Sequence, residues 1–239
     1  MAIAPSGLSA GDPAAASRAP GRWLRVVLAS AAVLAVLLLG AALGTSLQLI
    51  GGTSAQAKGG TVDIGFAQDM SVHHRQAVLM AGLARDRSTD PAIRVLAFDI
   101  ETNQLQQIGQ MQGWLSLWNA AALPTGPHMT WMSDTESMPG MMHGGGSSGA
   151  GVTTMPGMAS PADLAQLQGA NGTQFDILFL QLMLRHHQGG APMAGYAEQH
   201  GETVQLRNLA GKMVVSQSAE SEYMTKLIAE RGAQPLPPH

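Results

Sequence analysis

The sequence contains no cysteine, which removes disulfides, thiolate metal sites and thiol nucleophiles from consideration. Any metal chemistry must then rest on His, Met, carboxylate or backbone donors. Charge is sparse at 12%, and 13 Lys and Arg against 16 Asp and Glu leave a formal net charge of −3. That balance supplies no basic surface, so nucleic acid is set aside as a partner. Aromatics amount to only 4%. No Ser/His/Asp nucleophile arrangement, phosphate-binding glycine loop or nucleotide fingerprint occurs. Hydrolase and kinase chemistry have no residues to carry them, and the chain reads as a non-enzyme.

What the 239 residues do contain is apolar surface, at 45%, and methionine, at 15 residues. From Val26 to Gly44 the run VVLASAAVLAVLLLGAALG is close to the roughly 20 residues that cross a bilayer core. Arg18, Arg22 and Arg25 precede it and no charge follows until Lys58, so the positive-inside bias assigns residues 1–25 to a cytoplasmic tail and 26–50 to a single-pass membrane anchor. The membrane is then a partner through this helix, and the remainder is extracytoplasmic. Ala55-Gln56-Ala57 has the form a signal peptidase accepts, so secretion after cleavage near Ala57 is the alternative.

Beyond the apolar run the sequence repeats itself. FAQDMSVHHRQAVLMAGLA from Phe66 aligns without a gap on FLQLMLRHHQGGAPMAGYA from Phe179, 113 positions on. The register pairs Met70 with Met183, His73 with His186, His74 with His187, Met80 with Met193, Gln104 with Gln217 and Met111 with Met224. A constant offset over so long a stretch indicates two copies of one unit. Apolar residues at three- and four-residue spacing make each unit two helices, expected at 64–87, 91–119, 173–200 and 202–231. Asp90-Pro91 marks a helix start, and Gly201 and Gly232 sit where left-handed C-terminal caps belong. Pro192 falls inside the third helix, where it cannot donate to the Gln188 carbonyl, so a kink is expected there. Short links within each unit give an all-α, four-helix bundle over residues 61–232. It is interrupted at 120–172 by a Gly, Pro, Ser and Met segment read as mostly flexible linker, with a short helix after Ser160-Pro161.

On the first helix Phe66, Met70, His73, His74, Ala77, Met80, Ala81 and Ala84 share one stripe. Met111 and Gln104 of the second face it across the interior. The duplicate, with Met183, His186, His187, Met193 and Met224, makes a second candidate site, one per unit. Four imidazoles are costly to bury without partners. Imidazole with thioether favours Cu(I), with silver as a chemical mimic. The linker adds Met129, Met132, Met138, Met141, Met142, His143, Met155 and Met158 as further soft donors. Imidazole must lose its proton to bind, so affinity is expected to fall below a pKa of about 6.5, and indifference to acid down to about pH 4.5 would argue against histidine ligands.

The pattern F-x3-M-x2-H-H-x5-M-A followed by L-A-x2-I-x3-Q-x6-M-x2-W-L resembles the DUF305 family in both halves. The resemblance implies a ferritin-like four-helix fold and, since members include copper-binding proteins of the bacterial cell envelope, metal sequestration or handling. Ligands it implies are Met70, His73, His74, Met80 and Met111, then Met183, His186, His187, Met193 and Met224. Gln107 stands where the family pattern often has Glu, whereas Glu220 keeps it, and Gly190 with Pro192 replaces a more regular helical stretch. Equal sites are therefore not expected. Two other functions compete with copper binding: a metal-free structural or partner-binding envelope module, and a di-iron oxidase. The oxidase requires Glu-x-x-His, which is absent.

Overall fold

The computed structural model describes residues 21–50, 58–132 and 151–237. The chain divides into two compact units, residues 1–56 and 57–239. In the first, α1 (Arg22–Ile50) contains the span Val26–Thr45, 20 residues with none of its surface buried. At 1.5 Å per residue this reaches about 30 Å, the thickness of a bilayer core. It has the length and composition of a membrane anchor or of a signal sequence. The cleavage motif at Ala55–Ala57 lies outside the described residues.

The second unit holds α2 (Thr61–Arg87), α3 (Pro91–Leu117), α4 (Pro161–Gly169), α5 (Gly172–His200) and α6 (Val204–Glu230), with no strand among the described residues. The all-helical class read from the sequence is what the structure shows. Helix starts follow the expected chemistry: the Asp90 carboxylate accepts from Ala92 N at 2.8 Å with Pro91 in the first turn, and Ser160 and Asp163 form a reciprocal capping box. Gly232 is left-handed at φ 67°. Gly201 is not, at φ −58°. Glycine suits position 201 because an added Cβ would lie 2.7 Å from the Ala197 carbonyl oxygen and 2.9 Å from Leu206 Cδ2. Helix α5 runs on through Pro192.

Helices α2 and α3 pack together, as do α5 and α6, and the two pairs meet through α2 and α5. Bonds near the start of α2 reach Glu202 and Thr203, those at its middle reach His186, and those at its end reach Asn171, so α2 and α5 run antiparallel. The Asp63 carboxylate accepts from Glu202 N and Thr203 N, while the Glu202 carboxylate accepts from Val62 N and Asp63 N. Each acid thus closes open amides on the other's segment.

Two apolar clusters divide the core. One gathers the C-terminal half of α2, the N-terminal halves of α3 and α5 and the end of α6; the other gathers the opposite halves. On every one of these helices the buried polar residues His73, His74, Gln104, His186, His187 and Gln217 fall between the two. The helical unit thus has a polar waist between its two apolar clusters.

The expectation of a flexible linker across 120–172 is corrected for its two described stretches. Met129, Trp131, Met132 and Met155 are buried. Buried Asp69 accepts from His128 Nδ1, Met129 N and Trp131 Nε1 at 2.6, 2.7 and 2.8 Å. His128 and Val152 exchange backbone bonds of 2.8 Å, and the Gln76 amide bonds both ways with the Ala159 backbone. Composition alone suggested mobility; anchors on α2, distant in sequence, hold the segment. Met138, Met141, Met142 and His143 lie outside the described residues.

Candidate metal centre

The waist is organised by what each imidazole donates to. His73 Nε2 donates to the Pro156 carbonyl at 3.1 Å, His186 Nε2 to the His73 carbonyl at 3.0 Å, His74 Nε2 to Gln107 Oε1 at 2.7 Å, and His187 Nε2 to Glu220 Oε2 at 2.6 Å. The Pro156 and His73 carbonyls can only accept, so the His73 and His186 rings carry a proton on Nε2 and, when neutral, a lone pair on Nδ1. Nδ1 of His73, His74 and His187 is buried with no hydrogen-bond partner, as are Oε1 of Gln104 and Gln217. Unpaired acceptors in a closed interior are costly, and a bound cation would relieve that cost. On this count the donor set fits a metal ion.

Burial also sets the charge state. Loss of solvent pushes the His73 imidazole down to about 4 and that of His74 to about 3, and holds His186 well below its ordinary value, with the neighbouring imidazoles adding to the effect at His74 and His186. These rings are neutral at physiological pH, the form that ligates. The expectation that acid acts near pH 6.5 is therefore corrected for the folded protein. A metal held by His73 or His74 would survive to lower pH, and indifference to pH 4.5 would not argue against histidine ligands.

The methionines border the waist on both sides, and all six are fully buried. Met70, Met111 and Met193 belong to one apolar cluster; Met80, Met183 and Met224 belong to the other. The expectation of one self-contained set per repeat is corrected here. Antiparallel docking of α2 on α5 carries Met193 to the end that holds Met70 and Met111, and Met80 to the end that holds Met183 and Met224. Helical spacing puts Met70 one turn from His74 and Met111 one turn from Gln107, as Met183 stands to His187 and Met224 to Glu220. Among the described residues no three His, Cys, Asp or Glu side chains gather into a metal-holding group. An ion bound at the waist would need the thioethers.

Two features escaped the sequence reading. The segment Met155–Met158 packs on α5 at Gly189, where an added Cβ would lie 2.3 Å from Pro156 C and O, and it supplies the oxygen that orients His73. Gly190 leaves room for that ring, since a Cβ there would stand 3.0 Å from His73 Cε1 and 3.3 Å from Gln217 Oε1. The anchoring role of Asp69 is the second. A signal existed: the repeat places Leu182 at the position of Asp69, and an acid on an apolar stripe calls for a partner.

The family described as "Domain of unknown function (DUF305)" matches residues 63–228. A DUF305 protein of known crystal structure from Streptomyces coelicolor is 41% identical, over 74% of this chain and 97% of that one, with a TM-score of 0.64. A DUF305 fragment from Deinococcus radiodurans is 28% identical over 72% and 98%, with a TM-score of 0.56. CopM in its Cu(II)-bound form is 28% identical over 70% and 96%, with a TM-score of 0.52. No curated protein matches the chain.

Proposed function

The chain belongs to the DUF305 family, and from that premise we propose that its helical unit binds and sequesters a soft ion outside the cytoplasm, Cu(I) with Ag(I) as its chemical equivalent, without catalysing a reaction. The observation that carries the proposal is the waist: imidazole Nδ1 lone pairs without partners, bordered on either side by three buried thioethers. Thioether and neutral imidazole together favour a monovalent soft cation over zinc, which is usually given thiolate or carboxylate. The likeness to CopM, solved with Cu(II), supports copper as the cargo. Met70, His74, Met111 and Met193 would hold an ion at one end, Met80, Met183, His187 and Met224 at the other, with His73 and His186 between them. Full burial of these donors keeps the ion from water, which suits holding rather than turnover. Helix α1 would tether the unit to the membrane.

A metal-free partner-binding module is the second reading. It is favoured by Val95, Phe98 and Leu105, which lie exposed on one face of α3. The two readings separate in an anaerobic Cu(I) titration of the detergent-solubilised full chain against a competing chelator. Sequestration requires tight binding that is lost when His73, His74, His186 and His187 are all changed to Ala with the helical signal retained. Absence of binding to the unaltered chain would leave the partner-binding module.

A further inference from the structure

Among the described residues, the two apolar clusters that flank the waist are filled by different chemistry. The one around Met80, Met183 and Met224 is otherwise built from leucine, isoleucine, phenylalanine and alanine. The one around Met70, Met111 and Met193 adds Met129, Met132, Met155 and Met213. Filling space does not call for these. Met213 lies 113 positions after Ile100, and both are fully buried. Each stands one helical turn from a waist glutamine, Gln217 or Gln104, so an aliphatic side chain serves the matching place in the other repeat. The remaining three belong to the crossing segment, which the repeat does not duplicate. Met129 is held there at φ 65°, a left-handed conformation that is costly for a residue with a Cβ. The Asp69 carboxylate keeps it in place by accepting from its amide at 2.7 Å.

The four thioethers are graded from rim to waist. Met132 and Met129 are the outermost, 8% and 5% exposed, and Met155 and Met213 lie deeper at 3% and 0%. Backbone bonds between His128 and Val152 tie the two stretches of the segment together. Met155 adjoins Pro156, whose carbonyl accepts from His73 Nε2, and Met213 is one turn from Gln217, whose Oε1 is unpaired at the waist. Thioether sulfur is soft and uncharged, so it selects a soft monovalent ion. Charge at this end comes from Asp69, a buried carboxylate shared by Met129 N, Trp131 Nε1 and His128 Nδ1. In a low-dielectric interior it attracts a cation. We propose that Met129, Met132, Met155 and Met213 form a thioether-only site for the monovalent ion, separate from the waist, from which the ion passes inward as one sulfur replaces another. This assignment rests on the waist holding Cu(I) or Ag(I). Only metal–sulfur bonds form and break, and the ion keeps its charge throughout.

The test uses the full chain in detergent, with carbon-13 in its methionine methyl groups and nuclear magnetic resonance to follow added Ag(I). Single leucine substitutions assign the signals. One Ag(I) beyond those held at the waist should shift the methyl signals of Met129, Met132, Met155 and Met213 together. A chelator that leaves the waist loaded should remove it. Changing His73, His74, His186 and His187 to Ala should abolish tight binding and keep this weaker equivalent. A variant combining Met129→Leu, Met155→Leu and Met213→Leu, each a volume-conserving exchange, should lose it. That variant should also load the waist more slowly in stopped flow, with waist affinity unchanged, and circular dichroism checks that its helices persist. If the four methyl signals stay in place while those of Met70, Met111 and Met193 move, the proposal is overturned, and this result needs no multiple variant. A folded triple variant that loads the waist at the parent rate overturns it too. Either result leaves the waist reading standing, whereas an unaltered chain that binds no Ag(I) overturns both.

Discussion

The imidazoles of His73 and His186 lie with their ring centroids 3.8 Å apart and their planes inclined by 37°, and His186 Nε2 donates to the His73 carbonyl. Two cationic rings at that separation would repel strongly in a site without water. The contact excludes two charged rings, and burial holds both imidazoles neutral.

Stability should therefore depend on acid. In the unfolded chain these histidines titrate near 6.5, whereas in the fold His73 does so at about 4 and His74 at about 3. The folded state binds fewer protons, so their contribution is fully present above pH 6.5 and is lost as pH falls toward 4 and then 3. Between pH 6.5 and pH 5 each of these two rings should cost about 2 kcal/mol, at 1.36 kcal/mol per unit. Urea unfolding of the metal-free protein at pH 7.5 and pH 5.0 measures this, and equal midpoints would contradict neutral burial.

Assembly of each thioether set across the two repeats makes a prediction that sets confined to one repeat would not. Met70→Leu, Met111→Leu and Met193→Leu should weaken the same Cu(I) equivalent, and Met80→Leu should spare it and weaken the one shared with Met183 and Met224. Leu conserves volume and should cost less than about 1.5 kcal/mol in stability. Titrations of the single variants decide it: joint loss of one equivalent by Met70→Leu and Met80→Leu would reject the cross-repeat grouping.

Asp69→Ala removes the acceptor shared by His128, Met129 and Trp131. Met129 N and Trp131 Nε1 would be left buried without partners, at about 1–3 kcal/mol for each unsatisfied group. Denaturation followed by tryptophan fluorescence should show an earlier midpoint, with Trp131 exposed to quencher before the helices melt. Simultaneous loss of both signals at the unaltered midpoint would show that Asp69 does not hold this segment.

Gly189→Ala should act on the segment that crosses the waist. The added Cβ would collide with backbone atoms of Pro156, so Met155–Met158 must lift and His73 Nε2 loses its acceptor. Overpacking of this kind costs about 1–3 kcal/mol. Hydrogen exchange should show faster labelling at 155–159 with α2 and α3 unchanged, and labelling identical to the parent chain would be the contrary result.

Local chemistry explains how much of this was legible beforehand. The repeat register, the Asp90-Pro91 start and the stripe from Phe66 to Ala84 are written in neighbouring residues, so helix class and limits emerged within three positions. The grouping of Met193 with Met70 depends on how one helix pair docks against the other, which no periodicity encodes. The ordered stretches at 120–132 and 151–160 read as mobile because their Gly and Pro content is local, whereas Asp69, Gln76 and Gly189, which hold them, lie far away in sequence. The lowered histidine pKa values arise from burial at a depth that only the assembled core defines.

The meeting of His73 with His186 has one more consequence. Where antiparallel helices touch at the same position of two similar segments, the surface is self-complementary, the isologous geometry of a two-fold homodimer. A single helix pair carries both halves of that surface. Joining two such pairs in one chain makes their association unimolecular, so the completed waist does not depend on protein concentration. It also lets the two halves carry different side chains at matching positions, Gln107 in one and Glu220 in the other, which two identical subunits could not do.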